Sequence, residues 1–172
     1  MIAPFARLLV GAALLLAALG ARPDAEGAPA GVAPDPESAR SWDPFEATIP
    51  EIQAAMGSGR TSAVELVDYY LARIAALDDG AAGLNAIAAI NPNARSEAAL
   101  LDAERRERGI RGPLHGVPLI LKDNFHTTDM PTTAGSELLA GFIAPDDATV
   151  VRRLRDAGAI LLAKANMHEW AY

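Results

Sequence analysis

The stretch Gly112-Pro113-Leu114-His115-Gly116-Val117-Pro118-Leu119-Ile120-Leu121-Lys122-Asp123-Asn124 decides the fold. Its apolar run, Val117 to Leu121, is bounded by glycine and proline. The run is too short for a helix and reads as a buried strand. Lys122 then stands at the strand's C-terminal end, where open α/β sheets bind ligands. The residues that follow, Lys122 to Asp146, carry little regular pattern. Loops this long inside compact domains are uncommon and tend to be functional or disordered. Asp147 next caps a helix running to Ala157, with Val150, Val151 and Leu154 on its inner face, and Gly158 closes it. Ala159 to Ala163 forms a second buried strand. Strand, crossover helix and strand predict a parallel pair joined right-handedly. The fold class is α/β.

Upstream, Trp42 to Pro50 reads as a short extended entry. Ser62 with Glu65 makes a capping box, and Val64, Leu66, Val67, Leu71 and Ile74 recur at helical spacing through Leu77. Gly80 to Gly83 is a loop, and Leu84 to Ile90 is strand-like though rich in alanine. Asn91-Pro92 reads as an N-cap followed by proline at the first helical position. The helix from Pro92 to Arg108 is stopped by Gly109, and Arg105, Arg106 and Arg108 form a solvated, dipole-complementing terminus. Asn166 with Glu169 resembles one more helix start, yet the sequence reaches Tyr172 without a cap. An open strand edge there would be an aggregation liability. The expectation is therefore the N-terminal piece of something longer, with residues 42–172 as the first part of one domain.

The first forty residues differ in kind. Arg7 precedes an apolar run, Leu8 to Leu19, whose length suits a signal-peptide core and falls short of the ~20 residues of a bilayer span. Residues 1–21 read as a signal peptide and 22–41, rich in Ala, Pro, Gly and Asp, as a disordered spacer. Cleavage fits after Gly20 or Ala21, or later at Ala28-Pro29-Ala30; an uncleaved anchor is the alternative. This predicts export to a periplasm or the cell exterior, with no stable membrane span after cleavage. The sequence has no cysteine, which excludes disulfides and lipid-modified cysteine. Its net charge of −7 argues against nucleic acid as a partner.

For chemistry, the strand-end lysine is the leading residue. A free lysine, with a pKa of about 10.4, is neutral in roughly one molecule in a few thousand at pH 7. Burial under the long loop would lower that value, whereas Asp123 would oppose the shift if it lay close. Neighbouring strand residues point to opposite faces, so Asp123 is expected to aim away from Lys122. The plainer reading is a lysine that leaves its strand for solvent. Lys164 raises the same question after the second strand, and spacing does not choose between the two. His115, His126 and His168 lack close ligand spacing, which argues against zinc. His115 suits turn packing better than acid–base work. Ser136 follows glycine, but no G-x-S-x-G elbow surrounds it.

The block Gly112 to Asn124 resembles the N-terminal signature of the amidase signature family. The likeness continues through Thr132-Thr133-Ala134-Gly135-Ser136 and the helix around Arg152–Gly158. It then runs through Ala159-Ile160-Leu161-Leu162-Ala163-Lys164-Ala165-Asn166-Met167-His168-Glu169-Trp170. It covers about residues 45–172, and bacterial peptide amidases are the nearest subgroup. The resemblance implies an α/β/α sandwich on a central mixed sheet, of which only the N-terminal part is present. It also implies a Ser–cis-Ser–Lys triad acting on small-molecule or peptide amides, with Lys122 as the general base and no metal or organic cofactor. Both serines and the oxyanion loop would come from a Gly/Ser-rich tract downstream; none of this chain's serines lies in such a context, so Ser136 is not the nucleophile. The chain alone should be inactive. Ala165 departs from the threonine that many members carry. Two alternatives stand beside this reading. One is a non-catalytic α/β module binding a ligand or partner through the 122–146 loop. The other is an A-type amidotransferase component that works on charged transfer RNA. Export argues against the latter, since that substrate is cytosolic.

Overall fold

The computed structural model describes residues 42–78 and 83–171. The expected export segment, the spacer and most of the Gly80–Gly83 loop lie outside the described residues. Among the described residues, no helix is long and apolar enough to cross a membrane.

Seven regular elements follow in order among the described residues: α1 (Ile49–Gly57), α2 (Ala63–Leu77), β1 (Ile87–Ile90), α3 (Ala94–Arg108), β2 (Pro118–Lys122), α4 (Thr149–Asp156) and β3 (Ile160–Ala165). The strands form a mixed sheet in the order β1-β3-β2. β2 and β3 are parallel, with α4 in their crossover, while β1 runs antiparallel to β3. The α/β class and mixed sheet therefore agree with the sequence reading. One face of the sheet packs Ile160, Leu162 and Ala163 against Ile52 and Met56 of α1, Leu66 and Val67 of α2, and Ala98 and Leu101 of α3. On the other face, Leu161 meets Met130 of the long loop and Val151 of α4.

Several boundaries differ from expectation. The entry at Trp42–Pro50 runs into helix α1, because Glu51 accepts the Thr48 backbone N–H at 2.8 Å and lies 2.7 Å from the Thr48 hydroxyl. β1 begins at Ile87, not Leu84: the Asp78 carboxylate at the end of α2 takes the N–H groups of Ala86 and Ile87. α3 starts at Ala94, two residues after Pro92. There Asn91 accepts the Asn93 N–H at 2.8 Å, a side-chain turn that precedes the first helical residue.

Asp147 does not cap α4. Its Oδ1 takes the Thr128 N–H at 2.9 Å and its Oδ2 takes the Arg155 Nε–H at 3.0 Å, so it fastens the loop to the helix flank. Val150, expected on the inner face of α4, is exposed, whereas Val151 is fully buried. Asn166 starts no helix; its amide donates to Asn85 O at 2.7 Å, and a single 3-10 turn follows at Glu169–Ala171.

The strand after Gly158 extends beyond Ala163 to Ala165 and so takes in Lys164. Its register against β2 skips a residue: Leu119 pairs with Leu161, but Ile120 pairs with Ala163. A bulge of this kind re-aims the side chains that follow it. Leu162 and Ala163 both join the α1–α3 face, and Lys164 is delivered to the face of Leu161 and the long loop.

Candidate functional site

Lys122 ends β2 with its side chain exposed. The strand end is held on one side by pairing with Ala165 and by the Asp123 N–H donating to Ala165 O at 3.0 Å. Among the described residues, its Nζ takes part in no ion pair. The expected burial of Lys122 under the long loop is therefore not found among the described residues, because Phe125, Pro131 and Thr132 of that loop close over Lys164 instead. The buried lysine is Lys164.

Lys164 is fully buried on the central strand. Its Nζ donates to Phe125 O at 2.7 Å, Pro131 O at 3.1 Å and Thr132 Oγ1 at 3.1 Å, and lies 3.6 Å from Asp123 Oδ1. Burial holds its pKa below the ordinary lysine value, and the Asp123 carboxylate, with Asp129 farther off, opposes that shift only in part. Asp123 is itself only 2% exposed. It aims away from Lys122, as strand alternation requires, and its Oδ2 accepts both the backbone N–H and the hydroxyl of Thr133. The Asp123 carbonyl accepts the Ala134 N–H at 3.2 Å, so residues 123–134 close into a loop tied at its base.

Beyond that tie, the Thr132–Ser136 segment turns back with positive φ at Ala134 (51°) and Gly135 (75°). Gly135 is required there on a second count: a β-carbon would stand 2.7 Å from Met167 O. Ser136 is buried and donates to Glu169 Oε1 at 3.1 Å, a structural bond between the loop and the segment after β3.

His115 lies inside the turn before β2. Its Nδ1 accepts the Arg111 N–H at 3.1 Å, so Nε2 carries the proton and donates to Leu101 O at 2.9 Å. That is a packing histidine, as expected. Arg105 departs from the solvated role assigned to it: its Nη2 donates to Gln53 Oε1 and to His115 O, bridging α1 to the same turn. His126 is exposed beside the Phe142 ring, and His168 lies by Glu169 O, far along the chain from His115. The three do not come together.

Sequence reasoning singled out Lys122 for burial and left Lys164 undecided, and it missed the Lys164–Asp123 pair. The signal available was the bare juxtaposition of a Lys-Asp step after one strand and a second lysine after its parallel neighbour.

The family model described as Amidase matches residues 65–172. Peptide amidase from Stenotrophomonas maltophilia superposes with a TM-score of 0.71 at 50% identity, covering 74% of this chain and 26% of that one. An amidase family protein from Bacillus anthracis superposes with a TM-score of 0.69 at 44% identity, covering 73% and 25%. The A-type component of glutamyl-tRNA(Gln) amidotransferase from Thioalkalivibrio sulfidiphilus is 46% identical over 126 residues, 73% of this chain and 25% of that protein. The chain spans about a quarter of the length of these relatives.

Proposed function

The chain belongs to the amidase signature family, and from that premise we propose that it forms the lysine-bearing part of an enzyme hydrolysing carboxamide C–N bonds. Lys122 is the general base. In its amine form it accepts a proton from a bridging serine, which in turn takes the proton of the nucleophilic serine. The serine oxygen attacks the amide carbonyl, the C–N bond breaks as the amine leaves with a proton, and water hydrolyses the acyl-enzyme. The two serines belong to a segment outside these 172 residues. Export through the N-terminal apolar run is part of the same proposal, and in-gel size of the mature protein in a periplasmic fraction tests it.

One observation carries the reading. Of the two strand-end lysines, Lys122 is the one whose amine is open to an incoming group, because Lys164 is buried among three acceptors. A base must be able to reach the proton it abstracts. In the intact enzyme, Lys122→Ala should cut ammonia release from an N-acylated amino-acid amide by about 10²–10⁴-fold. Lys122→Arg should be nearly as damaging, since guanidinium does not give up its proton in proteins. Near-normal hydrolysis in Lys122→Ala would refute the assignment.

A second reading is favoured by the likeness to the amidotransferase relative. In it, the same lysine serves release of an amide nitrogen that passes to another acceptor instead of to water. Product analysis separates the two: free acid plus ammonia in buffer alone supports the hydrolase, and dependence of turnover on an acceptor supports transfer.

A further inference from the structure

Lys164 binds its surroundings as a cation. An ammonium has three N–H donors and no acceptor. Around it stand two backbone carbonyls, which can only accept, and the Thr132 hydroxyl. That hydroxyl gives its own hydrogen to Phe125 O at 3.2 Å, so it too accepts from Lys164. Three acceptors match three donors, whereas a neutral amine would turn its lone pair on one of them. A buried charge is tolerated when it is paired and hydrogen-bonded. The pairing partner is Asp123, because the other nearby carboxylate, Asp129, is bound 2.5 Å from Arg155 of α4, which also holds Asp147.

The consequence falls on Lys122. Asp123 is its neighbour in sequence, and although it points to the opposite face, an uncompensated negative charge there would favour the charged form of the Lys122 amine. Instead Oδ1 faces Lys164 and Oδ2 is taken by the Thr133 N–H and hydroxyl. The β3 bulge is what brings Lys164 to this side of the sheet.

We propose that Lys164 is a positioning residue for the reaction: by compensating the Asp123 carboxylate on the far face of the strand exit, it keeps an unbalanced negative charge from standing beside Lys122. This rests on the reading of Lys122 as the base. Asp123 and Asp129, with Arg155 behind them, are the charged groups that face Lys164; no carboxylate lies within ion-pair distance of Lys122 Nζ among the described residues.

The test is the pH profile of kcat/KM for hydrolysis of an N-acylated amino-acid amide by the intact enzyme, whose acid limb reports the base in the free enzyme. Lys164→Met leaves Asp123 without its cation and should move that limb to higher pH by about one unit. Asp123→Asn leaves the buried cation uncompensated and should move the limb to lower pH by a similar amount. The double variant should return it close to the wild-type position. A purely structural role would reduce the yield of active enzyme and leave every limb in place, so an unmoved limb in the soluble single variants overturns the proposal. Should Lys164→Met fail to fold, Asp123→Asn alone decides by the same criterion. Lys122→Ala, run alongside, separates the two levels: wild-type turnover in that variant sinks the base assignment, while a dead Lys122→Ala with unmoved limbs sinks only the role of Lys164.

Discussion

At Gly158 the backbone takes a φ of +89°, and a β-carbon there would stand 2.6 Å from His115 Cα. Two separate demands meet at this position. The left-handed turn ends the crossover helix, and the absent side chain lets the pre-strand turn press against it, with the Gly116 N–H donating to Gly158 O at 2.8 Å. Gly158→Ala should therefore cost more than the about 1–3 kcal/mol of a strained backbone alone, because the clash is with backbone atoms that cannot swing aside. Urea unfolding of the variant checks this; a loss below about 1 kcal/mol would show that the turn relaxes. The sequence made Gly158 legible as a helix stop and His115 as a packing residue. Their contact was not legible, because it depends on how the two strands align and not on any spacing within one element. Lys164 was hidden for a related reason. A lysine after an apolar run reads as an exit to solvent, and its three acceptors come from a loop some thirty to forty positions earlier in the chain.

Helix starts show the same division between local and distant causes. The capping box at Ser62 and Glu65 is present as the sequence predicts, with the Glu65 N–H donating to Ser62 Oγ at 3.1 Å. The same box at Thr48 and Glu51 was equally available, but its Thr48 lay inside the stretch Trp42 to Pro50, which read as extended. Gly109 ends α3 with a φ of 84°, again as predicted. What no local pattern announces is that α2 is capped a second time from α3. Asp102, 8% exposed, accepts the Ala63 N–H at 2.8 Å and the Val64 N–H at 3.1 Å. A carboxylate at a helix N-terminus satisfies orphan donors and complements the helix dipole. In Asp102→Ala those two donors lose their partner in a buried setting, and the expected loss is about 2–3 kcal/mol of stability. Asp102→Asn, which keeps an acceptor but no charge, should recover part of it. Equal losses in the two variants, measured by thermal unfolding, would mean that packing and not capping explains the residue.

On the scale of the whole chain, the order β1-β3-β2 leaves an outer edge on each flanking strand without a strand partner among the described residues. β2 is the more consequential, since it carries Ile120, 47% exposed, immediately before the Lys122 end. Leu138 at 90% and Trp170 at 63% add large apolar surface near the loop and the segment after β3. Soluble proteins seldom leave a flat apolar strand edge uncovered, and unpaired edges are templates for pairing with another chain. The relatives that share this fold are about four times longer than the matched region, so they have further chain with which to cover such an edge. The 172-residue chain expressed by itself should accordingly self-associate across the micromolar range typical of exposed strand edges. Ile120→Lys, which places a charge on the edge without touching the buried Leu161 face, should lower that association several-fold. Sedimentation velocity gives the answer directly. A single monomeric species from about 1 to 100 μM would show that the edge is covered by this chain's own residues.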